Sequence, residues 1–453
     1  MSSTKRLDMT TGTEWKHILL FSLPIMAGNL LQQLYNTVDG IVVGNFVSQN
    51  ALAATGTAGT LAFIFLAFAI GFGNGSGIMI AQLFGAQQYK ELKSAVSTSL
   101  ILLIGMGVFF TLFGCILARP LLHGLMNVAE GDVLDMAVTY FAIYSIGFVL
   151  QFIYNAVAAI LRAVGDSKAT LYFLVVSSVV NLVLDLLFVI VFHWGVAGAA
   201  IATVLSQLGS AVVSIIYMFK KYPIFRFEKG EFTFHMDKCR LCLKLGIPTT
   251  IQQSIVSFGN VFIQRLVNSF GEAVMAAFTV GTRIENYLFV PAIGFNVGAS
   301  TFTAQNIGAG KFDRVRRGCR STIVLTFSVA VVLELLSYLF AVPLSTLFGV
   351  EGEALTYSVA YVRFLAFFFW TFSLYMAFTG VLQGSGDVIV TMICSMIALG
   401  VRVILSYVLV NGFGADCSAI WKAMPIGWGS ALIVSSIRFF TGGWKEKGIV
   451  KHG

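Results

Sequence analysis

Residues 81–86 read AQLFGA, and residues 304–309 read AQNIGA. Each hexapeptide follows a glycine-rich apolar stretch and precedes a basic loop. Three further pairs match at nearly the same separation along the chain: Pro24 with Pro248, LRAVGD (161–166) with LQGSGD (382–387), and GVAGAAI (195–201) with GADCSAI (414–420). The separation shortens only slightly from the prolines to the last pair. A repeat of about half the chain predicts that the protein consists of two related halves.

The composition places these halves in a membrane. Of 453 residues, 57% are hydrophobic and only 11% are charged, with a mean hydropathy of +0.86. A soluble domain carries roughly 25% charged residues. Apolar stretches of about 20 residues, enough to cross a bilayer, recur along the whole chain. Strand-like alternation is absent, and backbone groups in lipid must be satisfied within the segment, so we predict an all-α membrane protein.

We predict about twelve transmembrane helices, with boundaries accurate to a few residues. The spans are 18–44, 52–80, 94–118, 135–161, 169–192, 196–219, 241–268, 273–304, 321–342, 355–381, 389–410 and 416–440. With the repeat, they predict two pseudo-symmetric six-helix bundles, 1–219 and 241–453, joined by a connector at 220–240. Because six is even, both copies enter from the same side, which implies a pseudo-symmetry axis along the membrane normal. We expect a substrate cleft between the bundles.

Charge orients the chain. Most of its 29 Lys and Arg residues lie in the termini, the connector and the loops on the same side of the predicted spans. By the positive-inside rule, both termini and the connector are predicted to be cytoplasmic, in a bacterial plasma (inner) membrane. The net charge of +8 follows from this topology, so it indicates no nucleic-acid partner.

Polar residues inside the spans are candidates for function, because an ionisable group at membrane depth costs several kcal/mol. In helix 1, one face carries Gln32, Tyr35, Asn36 and Asp39. Helix 5 carries Asn181 and Asp185 one turn apart, and helix 6 carries a stripe of Thr203, Gln207 and Ser210. If these faces converge, they form a pocket of oxygen ligands that suits a hard cation or a shared proton. Asn181 and Thr203 could instead simply bond neighbouring helices.

Three motifs resemble the multidrug and toxic compound extrusion (MATE) family: LYNTVDGIVVGNF (34–46), NLVLD (181–185) and the paired AQxxGA turns. The resemblance implies a secondary active antiporter that expels small organic cations against a proton or sodium flow, without ATP or a cofactor. The DinF-like branch of the family carries a cation site in its N-terminal bundle. Its positions match Asp39, Asn181, Asp185 and Thr203 here, so the resemblance implies H⁺ or Na⁺ at this site.

The second half departs from another branch, resembling NorM, which uses acids on helices 7 and 10. Here helix 7 offers Asn260 and Gln264, and helix 10 has no acid between Thr356 and Gln383. We therefore expect the coupling site in the first bundle. Glu285 could line the cleft or form a structural ion pair with its neighbour Arg283. The substrate-cleft candidates are Gln32, Tyr35, Asn36, Gln207, Asn260, Gln264, Arg283 and Glu285.

Two other functions stay open. If the basic residues Arg283, Arg363 and Arg402 line the cleft, the protein could be a flippase for a lipid-linked or amphipathic anionic precursor. A non-transporting receptor or scaffold would need no buried coupling carboxylates. GFGNGSG (71–77) lies inside a span, where close helix packing is expected rather than nucleotide binding.

An enzyme, a metal site other than for sodium, and an oligomer are not expected. Cys239 and Cys242 form a CxxC with His235 upstream, but a zinc site wants four ligands and no fourth is nearby. We expect membrane lipid and a small organic substrate as partners, and a monomer.

Overall fold

The computed structural model describes residues 8–126 and 128–450, except for the side chains of residues 36, 38–45, 257 and 258. Throughout these ranges the secondary structure is helical, which confirms the all-α prediction. The α-helices are α1 (Glu14–Phe46), α2 (Gln49–Gly85), α3 (Tyr89–Pro120), α4 (Asp132–Ile146), α5 (Phe148–Ala163), α6 (Ser167–Asp185), α7 (Gly195–Lys221), α8 (Met236–Asn268), α9 (Glu272–Gly308), α10 (Phe312–Leu339), α11 (Ala341–Leu347), α12 (Gly352–Ser385), α13 (Val388–Tyr407) and α14 (Ser418–Phe440).

All of these helices except α11 correspond to the twelve predicted spans, with α4 and α5 together matching one span. Among the described residues, nine helices are long and apolar enough to cross a membrane, and α4 with α5 makes a tenth span bent by 46°. The remaining two are α8 and α9, which have 33 and 37 residues. Since about 20 residues suffice to cross the hydrocarbon core, both are long enough. The chain is therefore a multi-pass membrane protein.

The helices differ from the predicted spans mainly at their ends. α10 begins at Phe312, well before the predicted start at 321, because the charged turns after Phe312 are helical too. Hydropathy marks where a helix becomes apolar and not where it starts. The fourth span breaks at Gly147, and the ends of α6 and α13 continue as π-helical turns at Leu186–Val191 and Val408–Gly412.

The chain forms two compact units. One consists of residues 27–250, and the other consists of residues 1–26 together with 251–453. The predicted boundaries at 219 and 241 follow the repeat and stay a prediction. The compact units instead change over inside α1 and α8, shortly after Pro24 and Pro248.

In the unit of residues 27–250, the GFGNGSG stretch packs α2 tightly against α8. A Cβ at Gly71 would lie 2.1 Å from the Thr250 hydroxyl and 2.6 Å from its backbone nitrogen. At Gly75 it would lie 2.7 Å from the backbone nitrogen of Gly246. Only glycine permits so close an approach of two helices, as expected for small residues at a membrane helix interface.

An equivalent seam occurs in the other unit, between α9 and the first turns of α1. Gly294 faces Met26, and a Cβ at Gly298 would lie 2.1 Å from the Ser22 hydroxyl. Gly294 and Gly298 occupy the repeat positions of Gly71 and Gly75, so the repeat extends to the packing of the helices. A second close contact in this unit joins α9 to α12, where Gly384 lies against the Ser300 carbonyl.

Candidate functional site

Four polar side chains from three helices meet in the unit of residues 27–250. The hydrogen-bonding pattern orients the Asn181 amide so that its nitrogen lies 2.9 Å from Tyr35 Oη and 2.8 Å from Asp185 Oδ2. In this orientation the amide oxygen accepts from the backbone N–H of Thr203 at 3.1 Å. The structure thus brings together Asn181, Asp185 and Thr203, and it adds Tyr35 from the group of cleft candidates.

Helix geometry explains why these residues meet. Asn181 and Asp185 are four positions apart on α6, so they lie on the same face one turn apart. Asp185 is the last residue of α6 before the π-helical turn, and Thr203 lies two turns into α7. The Thr203 hydroxyl donates to its own helix at the Ala199 carbonyl, 3.0 Å away.

The cluster is almost closed to solvent. Asn181 and Asp185 are each 1% exposed, and Thr203 is 8% exposed. A carboxylate among hydroxyl and amide groups is a set of hard oxygen ligands. Taking up a proton or a small cation here would reduce the cost of holding the carboxylate charge away from water. The arrangement can therefore bind and release one positive charge.

The other helix 1 residues complete this picture only in part. The side chains of Asp39 and Asn36 lie outside the described residues, so their place in the cluster stays a prediction. Gln32 is half-buried on the same helix, one turn before Tyr35. Gln207 points away toward the bend of the fourth span, because a Cβ on Gly147 would lie 2.3 Å from its Oε1.

A second buried carboxylate lies in the other unit. Glu285 on α9 is 7% exposed and accepts a hydrogen bond from Tyr361 Oη at 2.5 Å. Arg402 lies near enough for its charge to act on Glu285, and its Nε is buried without a partner among the described residues. The expected ion pair with Arg283 is not found within the described residues, since Arg283 is exposed on another face of α9.

The remaining candidates of the second half are on exposed surfaces. Asn260 and Gln264 on α8 are both exposed, and Gln264 donates to Asn268 of its own helix at 2.8 Å. Arg363 lies over the Tyr338 ring at 5.4 Å from its centroid. These residues are not brought together with Glu285.

Asp166, which lies between α5 and α6, is the centre of a network that sequence reasoning missed. Its carboxylate is 4% exposed and accepts from Tyr222 Oη at 2.6 Å, Tyr217 Oη at 2.9 Å and Lys221 Nζ at 3.0 Å. It also caps α6 by accepting from the backbone N–H of Ala169. Burial alone would raise the pKa of Asp166, but the hydrogen bonds and the Lys221 charge hold it below its ordinary value.

The repeat places Asp387 at the corresponding turn of the other unit. Asp387 is 4% exposed and accepts from Arg438 Nε at 2.7 Å. The GD ending of both repeat hexapeptides (161–166 and 382–387) was the available signal. It showed that the turns correspond, but it did not show that each aspartate binds a basic residue at the end of the last helix of its half.

The CxxC cysteines have packing roles in the structure. Cys242 Sγ lies 3.5 Å from the hydroxyls of both Ser76 and Ser99, in the α2–α8 seam. No group of three or more metal-ligating side chains occurs among the residues that the structure describes.

Long membrane helices in two repeat-related sets, with carboxylates buried inside them, are typical of secondary transporters of small molecules. Comparison with known proteins agrees. The MatE family model matches residues 24–187 and 248–408. The chain is 31% identical over 448 residues to the Probable multidrug resistance protein YoeA of Bacillus subtilis (strain 168), covering 96% of both chains. It is 24% identical to the Probable multidrug resistance protein NorM of Thermotoga maritima, covering 96% of this chain and 94% of that one.

Solved structures give the same result. A crystal structure of MATE in complex with MaL6 superposes with a TM-score of 0.91 at 25% identity, covering 97% of this chain and 99% of the other. An outward-facing multidrug resistance MATE family transporter of the MOP superfamily also has a TM-score of 0.91 at 25% identity, with 97% and 98% covered. The chain belongs to the MATE family of multidrug efflux transporters.

Proposed function

We propose that this protein exports small organic, mainly cationic compounds by antiport against protons or sodium ions, and that the coupling ion binds at Asp185. The observation that carries the proposal is the buried cluster in which Asn181 bonds both Asp185 and Tyr35. The resemblance to the DinF-like branch adds Asp39 and Thr203 to the same cation site. Carboxylate, amide and hydroxyl oxygens suit either ion, so the proposal names both.

The cluster connects ion binding to the position of α1. Tyr35 belongs to α1, whereas Asn181 and Asp185 belong to α6. A cation at Asp185 competes with the Asn181 amide for the same carboxylate oxygens, so occupancy changes the bonds that hold Tyr35. The ion enters from outside, α1 shifts, the cargo is released outside, and the ion then leaves on the inner side. In a one-for-one exchange of a monovalent cation no net charge crosses the membrane, so the ion's concentration gradient drives export: a tenfold gradient supplies about 1.4 kcal/mol, enough for about tenfold accumulation of cargo.

The test is efflux of a fluorescent organic cation from cells that express the wild type, Asp39→Asn or Asp185→Asn at equal membrane levels. We expect both variants to lose efflux. Asp132→Asn is the matched control, because Asp132 is an exposed acid at the start of α4 and should leave efflux unchanged. Normal efflux by Asp185→Asn would overturn the proposal.

The flippase alternative draws on one observation, the half-buried Arg402, whose buried Nε lies near Glu285. A cationic group in that position could bind the anionic headgroup of a lipid-linked cargo. Two results together would favour this alternative. The wild type would show no cation efflux, and Arg402→Gln would lose transport of an anionic lipid-linked cargo.

A further inference from the structure

The first residues of α1 and α8 carry opposite charges at equivalent positions of the repeat. Glu14 opens α1, and Lys238 lies in the first turn of α8, at the same distance before Pro248 as Glu14 is before Pro24. Glu14 pairs with Arg314 at the start of α10, with 3.1 Å between Oε1 and Nη1. Lys238 pairs with Glu91 at the start of α3, with 2.6 Å between Nζ and Oε2.

Arg314 and Glu91 are equivalent partners, whereas the second partners, Arg317 of Glu14 at 2.9 Å and Asp237 of Lys238 at 3.3 Å, are not. Glu91 and Arg314 follow the two AQxxGA turns at the same distance along the chain. The two ion pairs therefore match in place within the repeat, and they are reversed in polarity.

The pair at α1 is part of a larger anchor. Arg314 is 8% exposed and donates to the carbonyls of Met9, Thr11 and Gly12 at 2.7–3.2 Å. The Met9 N–H in turn donates to Gln305 Oε1 at 2.9 Å. These backbone carbonyls accept from Arg314 whatever charge the side chain at position 14 carries. The anchor therefore holds the segment before α1 independently of its recognition of Glu14.

The pair at α8 lacks such a guanidinium anchor among the described residues. The segment before α8 is held through the Thr233 carbonyl, which accepts from Ser97 Oγ at 2.6 Å, and through the His235 N–H, which donates to Thr98 Oγ1 at 3.1 Å. These two neutral contacts give position without charge selectivity. Charge recognition here depends on two ion pairs with α3: Lys238 with Glu91, and, in the segment before α8, Glu231 Oε2 with Lys93 Nζ at 2.7 Å.

The shape of the packing surface alone does not determine which glycine seam α8 packs against. Its seam residues Gly246 and Thr250 correspond to Ser22 and Met26 of α1, so α8 carries the smaller side chain at each position. The glycines that receive them, in α2 and α9, are also equivalent. A helix with the smaller residues fits either glycine seam, and another property must distinguish them.

We propose that the reversed polarity of the two ion pairs specifies which bundle each leading helix docks on. Each leading helix packs against the bundle of the other half of the repeat. If α1 docked on its own half, Glu14 would face Glu91, and if α8 did so, Lys238 would face Arg314. Both wrong arrangements place like charges together, which is costly, whereas both observed ones pair opposite charges. This inference does not depend on the proposed transport chemistry.

The experiment uses a disulfide as a reporter of α8 docking. In the full chain, Ser76→Cys places a thiol beside the native Cys242, since the two side-chain atoms are 3.5 Å apart. The other cysteines are replaced by alanine, and a protease site is inserted in the exposed turn at Gly230. After mild oxidation and cleavage, the two fragments stay together on a non-reducing gel only if α8 has docked on α2. Ser99→Cys is a second reporter with the same 3.5 Å separation.

In this background we expect Lys238→Glu to lower the cross-linked fraction about tenfold, because the new carboxylate is repelled by Glu91 and attracted by Arg314. Glu91→Lys should act similarly. The double variant Lys238→Glu with Glu91→Lys should return to within about twofold of the reporter chain. Lys244→Glu is the matched control, an exposed lysine on the same helix, and should leave the cross-link unchanged.

The equivalent swap at α1, Glu14→Lys with Arg314→Glu, should recover less, because glutamate cannot donate to the Met9, Thr11 and Gly12 carbonyls. If a single variant does not accumulate in the membrane, accumulation and cross-linking of the double variant are the supporting result. A double variant at α8 that cross-links no better than the worse single variant, with either reporter, would overturn the proposal.

Discussion

The two units each bury a carboxylate, and the surroundings of the two differ. Among the described residues, Asp185 contacts the Asn181 amide, which also bonds Tyr35 and Thr203, and these three groups are neutral. Glu285 instead accepts from Tyr361 and lies within the electrostatic reach of Arg402. A guanidinium already supplies the positive charge that a buried carboxylate needs, whereas amides and hydroxyls only supply dipoles. The same residue chemistry therefore suits exchange of a cation in one unit and a fixed charge balance in the other.

This difference also separates coupling from recognition of cargo. A coupling site must accept a positive charge in one state of the transport cycle and release it in another. A carboxylate balanced by a fixed arginine has less to gain from a transient cation. We therefore propose that ion coupling takes place at Asp185 and that Glu285 serves the cargo site.

The largest expected effect tests directly whether Asp185 and Glu285 differ in role. Asp185→Asn should abolish accumulation of cargo, a loss of about tenfold for a tenfold gradient of the coupling ion. Glu285→Gln should retain accumulation and change the range of cargo accepted. Efflux of several organic cations from cells expressing each variant measures both. Equal losses in the two variants would mean that the two carboxylates do not differ in role.

The glycine seams provide a comparison of packing. Gly75→Ala should destabilise the protein by about 1–3 kcal/mol, because its Cβ would meet the Gly246 backbone, which cannot rotate away. Gly298→Ala should be nearly neutral, since its Cβ would meet the Ser22 hydroxyl, which can turn aside. Thermal unfolding of the purified proteins in one detergent tests this. A larger loss in Gly298→Ala would contradict the assignment.

The two aspartates of the GD turns, Asp166 and Asp387, can be compared by their contributions to stability at different pH values. Asp166→Asn should cost about 2 kcal/mol at neutral pH, because the variant loses charge-assisted hydrogen bonds from Lys221 and two tyrosines. The folded pKa of Asp166 is depressed, so its contribution is present above the unfolded value near 3.9 and is lost as pH falls through the folded pKa.

The difference between wild type and Asp166→Asn should accordingly shrink as the pH is lowered below about 4. Unfolding temperatures at pH 7 and in acid measure it. Asp387→Asn, which among the described residues loses the Arg438 side-chain contact alone, should cost less at neutral pH. A deficit of Asp166→Asn that grows in acid would contradict the account.

The smallest expected effect tests the contribution of one hydroxyl to the proposed cation site. Thr203→Val keeps the side-chain shape and removes the hydroxyl. The loss of about 1 kcal/mol of interaction should raise the ion concentration needed for half-maximal efflux about fivefold. Ser210→Ala is the control on the same helix, because the Ser210 hydroxyl has no partner among the described residues. The ion concentration for half-maximal efflux should shift in the first variant and not in the second.

Much of the fold follows from hydropathy, charge and the repeat, because lipid imposes helices of a minimum length. The starts of helices were harder, as at Phe312, since charged turns outside the bilayer carry no apolar signal. The bend at Gly147 could not be predicted either. Many glycines lie inside the spans, and only tertiary packing distinguishes the one at which a helix breaks.

The candidate site, like the fold, could be predicted from the sequence only in part. Asn181 and Asp185 could be grouped from their spacing alone, because about four residues make one helical turn. The Tyr35 contact and the approach of Arg402 to Glu285 join residues far apart in the sequence, and no local pattern encodes such contacts. Arg283 was expected beside Glu285 because it is near in sequence, but two positions along a helix point to different faces.

The most direct test of the central claim is transport by purified protein in liposomes with an imposed proton or sodium gradient. In the wild type, one of the two gradients should drive uphill movement of an organic cation. Asp185→Asn should still exchange the cation down its own concentration gradient but should not respond to either ion gradient. Gradient-driven uphill transport by Asp185→Asn at the wild-type rate would contradict the assignment of ion coupling to this unit.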